Sequence, residues 1–567
     1  MSSRKGPLSK KIKRRAYSTF FMCLFGYTFL IYRLVDIQVF KYDKYKGNAE
    51  KQSIEKIDLN SGRGIIYDRN NKALTDVEKK KVILVPKEKL NDNSEVLNLI
   101  KESANISELE IYKAVQDQIT SPIIEIEVDN IDKTNIAKLE ENNIIIDEKV
   151  QRYSENGILS HTIGHLKKSD NIEDVGDEIG AIGIEKSMDE ILKNSNEKYI
   201  SAFRAGESGN RDNLDILEGS IKKVKKSDDE RHLKLTIDYN IQKIVEDVVN
   251  KEENPTAVVI SDVETGELLS ICSRPNFDQN DISKTLNKEG KKNGEFLNRA
   301  ISATYPPGSI FKIVVLYAAL EDRIINEDYT YNCTGKSNVG DTDEVLKCHK
   351  ANGHGVENIQ QAFSNSCNTA FLDIAMKVGE KKILEAAKTL HLSDKVEIGI
   401  YEEKESKIPN KISIRNLAIG QESIEFSPLQ VNQMTQVVAN NGTYKPLYLY
   451  DSIIDNQKKI IKTFKSSKEE EIISPYINTF IKEIMKSVSE EGTAKELSDL
   501  EGGSGVKTGT AQSSLNKEEI SHGWITGYYP KDNPKYAITV LVEGTEEESK
   551  PATPIFKEIC EKINENK

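Results

Sequence analysis

Ser309 stands in the run Tyr305-Pro306-Pro307-Gly308-Ser309-Ile310-Phe311-Lys312, three residues ahead of a lysine. On a helix, positions i and i+3 share a face, so the Lys312 amine can reach the Ser309 hydroxyl, and burial there lowers a lysine pKa toward that of a general base. A hydroxyl activated in this way is a nucleophile that needs no histidine. The spacing alone is weak, because Ser2/Lys5, Ser53/Lys56, Ser195/Lys198, Ser220/Lys223, Ser504/Lys507 and Ser514/Lys517 share it in this lysine-rich chain. Context separates Ser309. Two prolines and a glycine end an extended segment, and Phe311, Val314, Val315, Ala318 and Ala319 then recur with helical period, which predicts that Ser309 opens a buried helix.

Two more strings turn the pair into a constellation. Ser366-Cys367-Asn368 precedes an apolar run, Phe371-Leu372-Asp373-Ile374-Ala375, that reads as a helix. Lys507-Thr508-Gly509-Thr510 follows the flexible Gly502-Gly503-Ser504-Gly505 and reads as an edge strand. The order Ser-x-x-Lys, Ser-x-Asn, Lys-Thr-Gly resembles the signature set of penicillin-recognising serine enzymes.

The elements that must position these strings divide the chain into a basic tail (1–15), an apolar span (16–40), a charged block (41–235) and a catalytic domain (236–567). Arg4, Lys5, Lys10, Lys11, Lys13, Arg14 and Arg15 precede the span, which is long enough to cross a bilayer of about 30 Å and keeps its basic end in the cytoplasm. No Ala-x-Ala-like cleavage site follows it, which disfavours a signal peptide. In the charged block, Val82–Val85 and Ile123–Val128 read as strands, and Ser94–Glu102 and Ser107–Gln118 as helices. Arg63, Asp68 and Arg69, in Ser61–Asn70, are expected to build a buried ion-pair network. The last domain reads as an antiparallel sheet made from both ends of its sequence. A hairpin through Glu264-Thr265-Gly266, a second through Pro530–Pro534 and a final helix Pro554–Ile563 enclose a helical insertion. The fold class is therefore α+β and multidomain. A net charge of −12 argues against nucleic acid as a partner, and the Lys, Ile, Asn and Glu usage is that of an AT-rich genome.

Three of the six cysteines, Cys333, Cys348 and Cys367, fall near His349 and His354. Cys333, Cys348, His354 and Cys367 can complete a structural zinc site, with His349 as the substitute; a Cys348–Cys367 disulfide and free buried thiols are the alternatives. Cys367 is expected to point behind the loop that carries Ser366 and Asn368.

With these residues in place, the whole chain beyond residue 16 resembles a class B penicillin-binding protein of low-GC Gram-positive type, a monofunctional peptidoglycan D,D-transpeptidase. Arg63-Gly64 to Asp68-Arg69 resembles the family's start-of-pedestal motif, Gly183-Ile184-Glu185 a later pedestal motif, and Asn298-Arg299-Ala300 the segment before the nucleophile. Gly420-Gln421 and Ser427–Gln430 also match, whereas Glu422 replaces a usual glycine and no Gly-rich turn follows Leu192. The resemblance implies that Ser309 attacks a D-Ala-D-Ala stem peptide and Lys312 takes its proton. It further implies that Ser366 and Lys507 relay a proton to the leaving amine while Asn368 holds Lys312. The backbone N–H groups of Ser309 and Thr510 would form the oxyanion hole, and Thr508, Gly509 and Thr510 the carboxylate site. The chemistry needs no cofactor. Peptidoglycan stem peptides, β-lactams, the membrane and a polytopic membrane glycosyltransferase are the implied partners, since no glycosyltransferase domain is read here. A β-lactam-hydrolysing or β-lactam-sensing protein of the same superfamily is the alternative. It is disfavoured by the missing Glu-x-x-Leu-Asn string between Ser366 and Lys507 and by the single membrane span.

Overall fold

The computed structural model describes residues 8–41, 54–92, 94–155, 157–169, 178–193, 197–203, 216, 220–226, 231–286, 294–409, 411–421, 424–466, 468–515, 518–545 and 551–566. The chain divides into two compact units: Met1–Asn60, Lys79–Lys149 and Glu197–Lys226 form one, and Ser61–Glu78, Val150–Asn196 and Ser227–Lys567 the other. The charged block expected over 41–235 is thus shared between them. Composition could not reveal this, because the segments that leave it are as polar as those that stay.

In the first unit, a helix over Leu8–Val35 continues as a π-helical turn over Asp36–Phe40. Its stretch Tyr17–Phe40 is long and apolar enough to cross a membrane. Asp36, the acid in that stretch, is paired with Arg33 (3.3 Å) and Lys41 (2.8 Å). The alternating strand Ile123–Val128 pairs antiparallel with Glu78–Pro86, Val85 facing Ile124, and Val96, Ile100 and Ile111 of two amphipathic helices cover Ile83, Val85 and Ile126. The second of these helices starts at Ser107, where Ser107 and Glu110 exchange hydrogen bonds in a capping box.

The second unit is built on a five-stranded antiparallel sheet. Its order is Leu268–Ser273, Thr256–Asp262, Tyr536–Thr545, Glu518–Tyr529 and Gly505–Leu515, so the strand carrying Lys507 is an edge, as its sequence suggests. Strands from both ends of the domain meet at the centre, where Val259 faces Thr539, and at the edge Lys507 faces Thr526. Ile555, Ile559 and Ile563 of the last helix, Ala552–Glu565, are buried as their spacing requires. The helix Pro428–Ala439 is buried at every residue, and Asn432 holds it to the sheet by donating to Val259 O and Ala537 O. The short strand Ile66–Tyr67 joins this unit by parallel pairing with His232–Leu235.

The expected ion-pair network exists with different members. Glu185, fully buried, accepts from Arg63 Nε and Arg152 Nε at 2.8 Å each, and Arg152 also pairs with Asp76 at 2.6 Å. Asp68 is not in it. Its short carboxylate instead accepts from the N–H groups of Asn70 and Lys72, closing a turn, and Arg69 pairs with Glu267 at 2.6 Å. Burial pushes the Asp76 carboxyl up from its ordinary value, only partly opposed by the Arg152 charge.

Candidate active site

The Ser309 string turns tightly before it becomes a helix. Gly308–Phe311 is a 3₁₀ turn and the α-helix runs over Lys312–Glu321, so Ser309 sits in the entry turn rather than in the helix proper. A 3₁₀ turn eclipses i and i+3, which brings Lys312 over Ser309. Gly308 has φ +55°, and a Cβ there would lie 2.5 Å from Thr510 O, so only glycine lets the Ser309 turn and the edge strand approach this closely. Gly509 serves the same approach from the other side: its Cβ would stand 2.9 Å from Pro307 O. Trp524 Nε1 donates to Pro306 O at 3.0 Å and holds the turn from the sheet.

The three strings converge on two amines. Lys312 Nζ lies 3.1 Å from Ser309 Oγ, 3.1 Å from Ser366 Oγ, 2.7 Å from Ser366 O and 2.8 Å from Asn368 Oδ1. Lys507 Nζ reaches Ser366 Oγ at 3.1 Å from the opposite side and Thr508 O at 2.9 Å. Both lysines are fully buried. Burial pushes the Lys312 ammonium down to about 8, a shift that Cys367 and Cys348 oppose. The neutral amine fits its four neighbours: two N–H groups satisfy the shorter carbonyl contacts, and the lone pair is left for a hydroxyl proton. Ser366 has φ +55°, a strained conformation for a side chain with a Cβ, held by bonds from Ser366 N–H to Phe363 O and Cys367 N–H to Ala362 O. This strain turns the Ser366 hydroxyl between the two lysines and sends Cys367, also fully buried, behind the loop.

Two contributors had no role assigned from the sequence, Thr493 and, although its string Gly420-Gln421 was noted, Gln421. Thr493 Oγ1 lies 2.6 Å from Thr508 Oγ1, and its N–H donates to Ser364 O at 3.0 Å, tying the Lys-Thr-Gly strand to the Ser366 helix pair. The Gly492-Thr493 pair just past the helix Pro475–Glu490 was the available signal, since a Cβ at Gly492 would meet Ser364 O at 2.5 Å. Gln421 lays its carboxamide along the edge strand, donating to Thr510 O at 3.3 Å and accepting from Gln512 N–H at 3.2 Å. The neighbouring Glu422 lies outside the described residues.

Behind the Ser366 loop, the ligand atoms of Cys333, Cys348, His354 and Cys367 all fall within 4.8 Å of one another. Cys348 Sγ is 4.0 Å from Cys367 Sγ, far beyond a bonded 2.05 Å, and no disulfide joins cysteines among the described residues. The contact between the two thiols pulls the Cys348 thiol down and pushes that of Cys367 up. His354 Nδ1 lies 3.6 Å from Cys348 Sγ and its side chain is 6% exposed, whereas His349 is exposed. Buried Glu357 places one carboxylate oxygen, without a hydrogen-bond partner, 3.6 Å from His354 Nδ1 and binds Asn365 with the other. Three thiols and an imidazole at this separation fit a tetrahedral zinc ion.

Residues 256–561 match the model of the penicillin binding protein transpeptidase domain, and residues 58–213 that of the penicillin-binding protein dimerisation domain. The chain belongs to this family. It is a class B penicillin-binding protein, a peptidoglycan D,D-transpeptidase of the serine type. Among curated relatives, the stage V sporulation protein D of Bacillus subtilis (strain 168) is 26% identical over 92% of this chain and 81% of its own length. The peptidoglycan D,D-transpeptidase MrdA of Acinetobacter baumannii is 23% identical over 90% of this chain and 82% of its own. A solved penicillin-binding protein, PBP2 of Helicobacter pylori in complex with MreC, has a TM-score of 0.64 at 23% identity, covering 90% of this chain and 98% of that one. The transpeptidase thus shares that fold along nearly its full length.

Proposed function

We propose that Ser309 is the acylated residue of this transpeptidase and that Lys312 is its base. The observation that carries this is the single buried amine of Lys312 held within 3.1 Å of the hydroxyls of both Ser309 and Ser366. Ser309 Oγ attacks the carbonyl of the penultimate D-alanine as Lys312 accepts its proton, and backbone N–H groups of Ser309 and Thr510 hold the oxyanion. The peptide C–N bond then breaks, and the leaving D-alanine nitrogen takes a proton through Ser366 from the amines on either side of it. A second stem peptide's amine attacks the ester and gives up a proton to Lys312, which passes it to Ser309 Oγ as the ester C–O bond breaks, and a cross-link results. Asn368 orients Lys312, and Thr508 and Thr510, with Gly509 giving close approach and Lys507 supplying charge, bind the terminal carboxylate. A β-lactam enters the same path, but its leaving nitrogen stays tethered to the acyl group, so the ester persists. Fluorescent-penicillin labelling of Ser309→Ala and Lys312→Ala tests this: both should lose the label while still melting cooperatively as folded proteins, and persistent labelling of either would remove that residue from its role.

Tyr17–Phe40 anchors the enzyme, with the basic tail cytoplasmic and the catalytic unit outside, where its wall substrate lies. A polytopic membrane glycosyltransferase supplies the glycan strands that it joins. Cys333, Cys348, His354 and Cys367 hold a structural zinc ion, which when bound adds its binding free energy to the stability of the Ser366-Cys367-Asn368 loop. Glu357 holds Asn365, the residue ahead of Ser366, and stands beside His354 Nδ1.

A further inference from the structure

The edge of a sheet offers backbone groups that pair with an extended peptide laid beside it. The strand Gly505–Leu515 is such an edge, and among the described residues Glu518–Tyr529 is the strand paired with it. In an antiparallel ladder, alternate residues turn their backbone groups away from the partner strand. Thr508 O accepts from Lys507 Nζ and Thr510 O from Gln421 Nε2, which marks residues 508, 510 and 512 as the outward set. Pro307 and Ile310 abut this strand at Gly509, so an acyl donor with its carbonyl at Ser309 lies along the same edge. An amide N–H next to that carbonyl then has Thr510 O as its acceptor.

That acceptor is already engaged. The Gln421 carboxamide occupies two backbone groups of this edge, donating to Thr510 O at 3.3 Å and accepting from Gln512 N–H at 3.2 Å. Its main chain is fixed: Gly308 N–H donates to Gly420 O at 2.9 Å, Gln421 N–H donates to Asn416 O at 3.1 Å, and a Cβ at Gly420 would meet Gly308 O at 2.1 Å. The side chain is half-buried at the rim, where rotation about its own bonds can free the edge.

We propose that Gln421 is a specificity-determining residue whose carboxamide holds the peptide position on the edge strand and yields only to acyl donors that can replace its bonds. Donors carrying an amide beside the reacting carbonyl compete with Gln421 for Thr510 O; donors lacking that amide leave it in place. The proposal rests on Ser309 and Thr510 forming the reacting centre, which loss of labelling in Ser309→Ala tests separately.

The experiment compares acylation of the full-length enzyme in detergent by benzylpenicillin, which carries an acylamino group beside the lactam carbonyl, with acylation by a carbapenem, which carries a hydroxyethyl group there. In Gln421→Ala the ratio of the two second-order rate constants, benzylpenicillin over carbapenem, should rise about two- to tenfold, the worth of one exposed hydrogen bond. Gln421→Met keeps the side-chain volume without either bond and should give the same change, and it decides the matter if the alanine variant does not fold. An unchanged ratio, or an equal fall with both compounds, would make Gln421 a strut for the strand and overturn the proposal.

Discussion

Raising the pH should switch on acylation through one group. Lys312 has its ammonium pushed down to about 8 by burial, from an ordinary 10.5. At pH 7 about a tenth of the enzyme then holds the neutral amine, against about 0.0003 for a lysine in water, so burial supplies about 300 times more base. The assay is the second-order rate constant for acylation by a stable penicillin from pH 6 to 9.5. Its logarithm should climb with a slope near one up to about pH 8 and level above it. The same shift has a stability consequence of fixed sign. Between pH 8 and 10.5 the unfolded chain keeps the lysine proton while the native site releases it, so the native state gains up to about 3 kcal/mol as pH rises through that window. Below pH 8 both states are protonated and the cost of burying the charge stands in full. Lys312→Met, which buries no charge, should therefore lose its relative stability over wild type between pH 8 and 10. A rate profile flat from pH 6 to 9, or one still rising past pH 10, would refute Lys312 as the base.

Thr493→Val should lower acylation efficiency about tenfold, through weaker binding of the carboxylate-bearing substrate rather than a slower bond-forming step, with Thr493→Ser largely intact; a loss confined to the acylation step would contradict the contact with Thr508. Protein purified under reducing conditions should carry one zinc per chain, and a strong chelator should lower its melting temperature and slow acylation. A metal content near zero, or full content in the Cys348→Ser/Cys367→Ser double variant, would eliminate that site. Protease added outside intact protoplasts should digest the chain beyond residue 41, and protection of that region would reverse the orientation assigned to the Tyr17–Phe40 span.

The parts of the site that were legible in the sequence are those where chemistry and local geometry demand the same residue. Gly308 and Gly509 stand in their strings because backbone meets backbone there, and Ser309/Lys312 is spaced by a single helical turn. Alternation marked Ile123–Val128, and turn residues marked two of the hairpin pairings of the sheet. What could not be read depends on contacts between segments far apart in the chain. Asp68 and Glu185 are both acids in glycine-containing strings, and only the fold decides that one closes a turn while the other takes two arginines. Thr493 and Gln421 lie in loops without periodicity, and their roles arise from meeting Thr508 and Thr510 across separations of 15 and 89 residues. The sharing of the 41–235 block between two units has the same origin, since the strand Ile66–Tyr67 is too short to announce its partner at His232–Leu235.

Trapping the acyl-enzyme on its own residue tests the central claim most directly. The full-length protein is reacted with a penicillin, digested, and its peptides sequenced by mass spectrometry, beside the same reaction after incubation with a peptide ending in D-Ala-D-Ala. The account predicts one adduct, on Ser309, reduced by the competing peptide and missing from Ser309→Ala. An adduct on any other serine, or equal modification of Ser309→Ala, would contradict it.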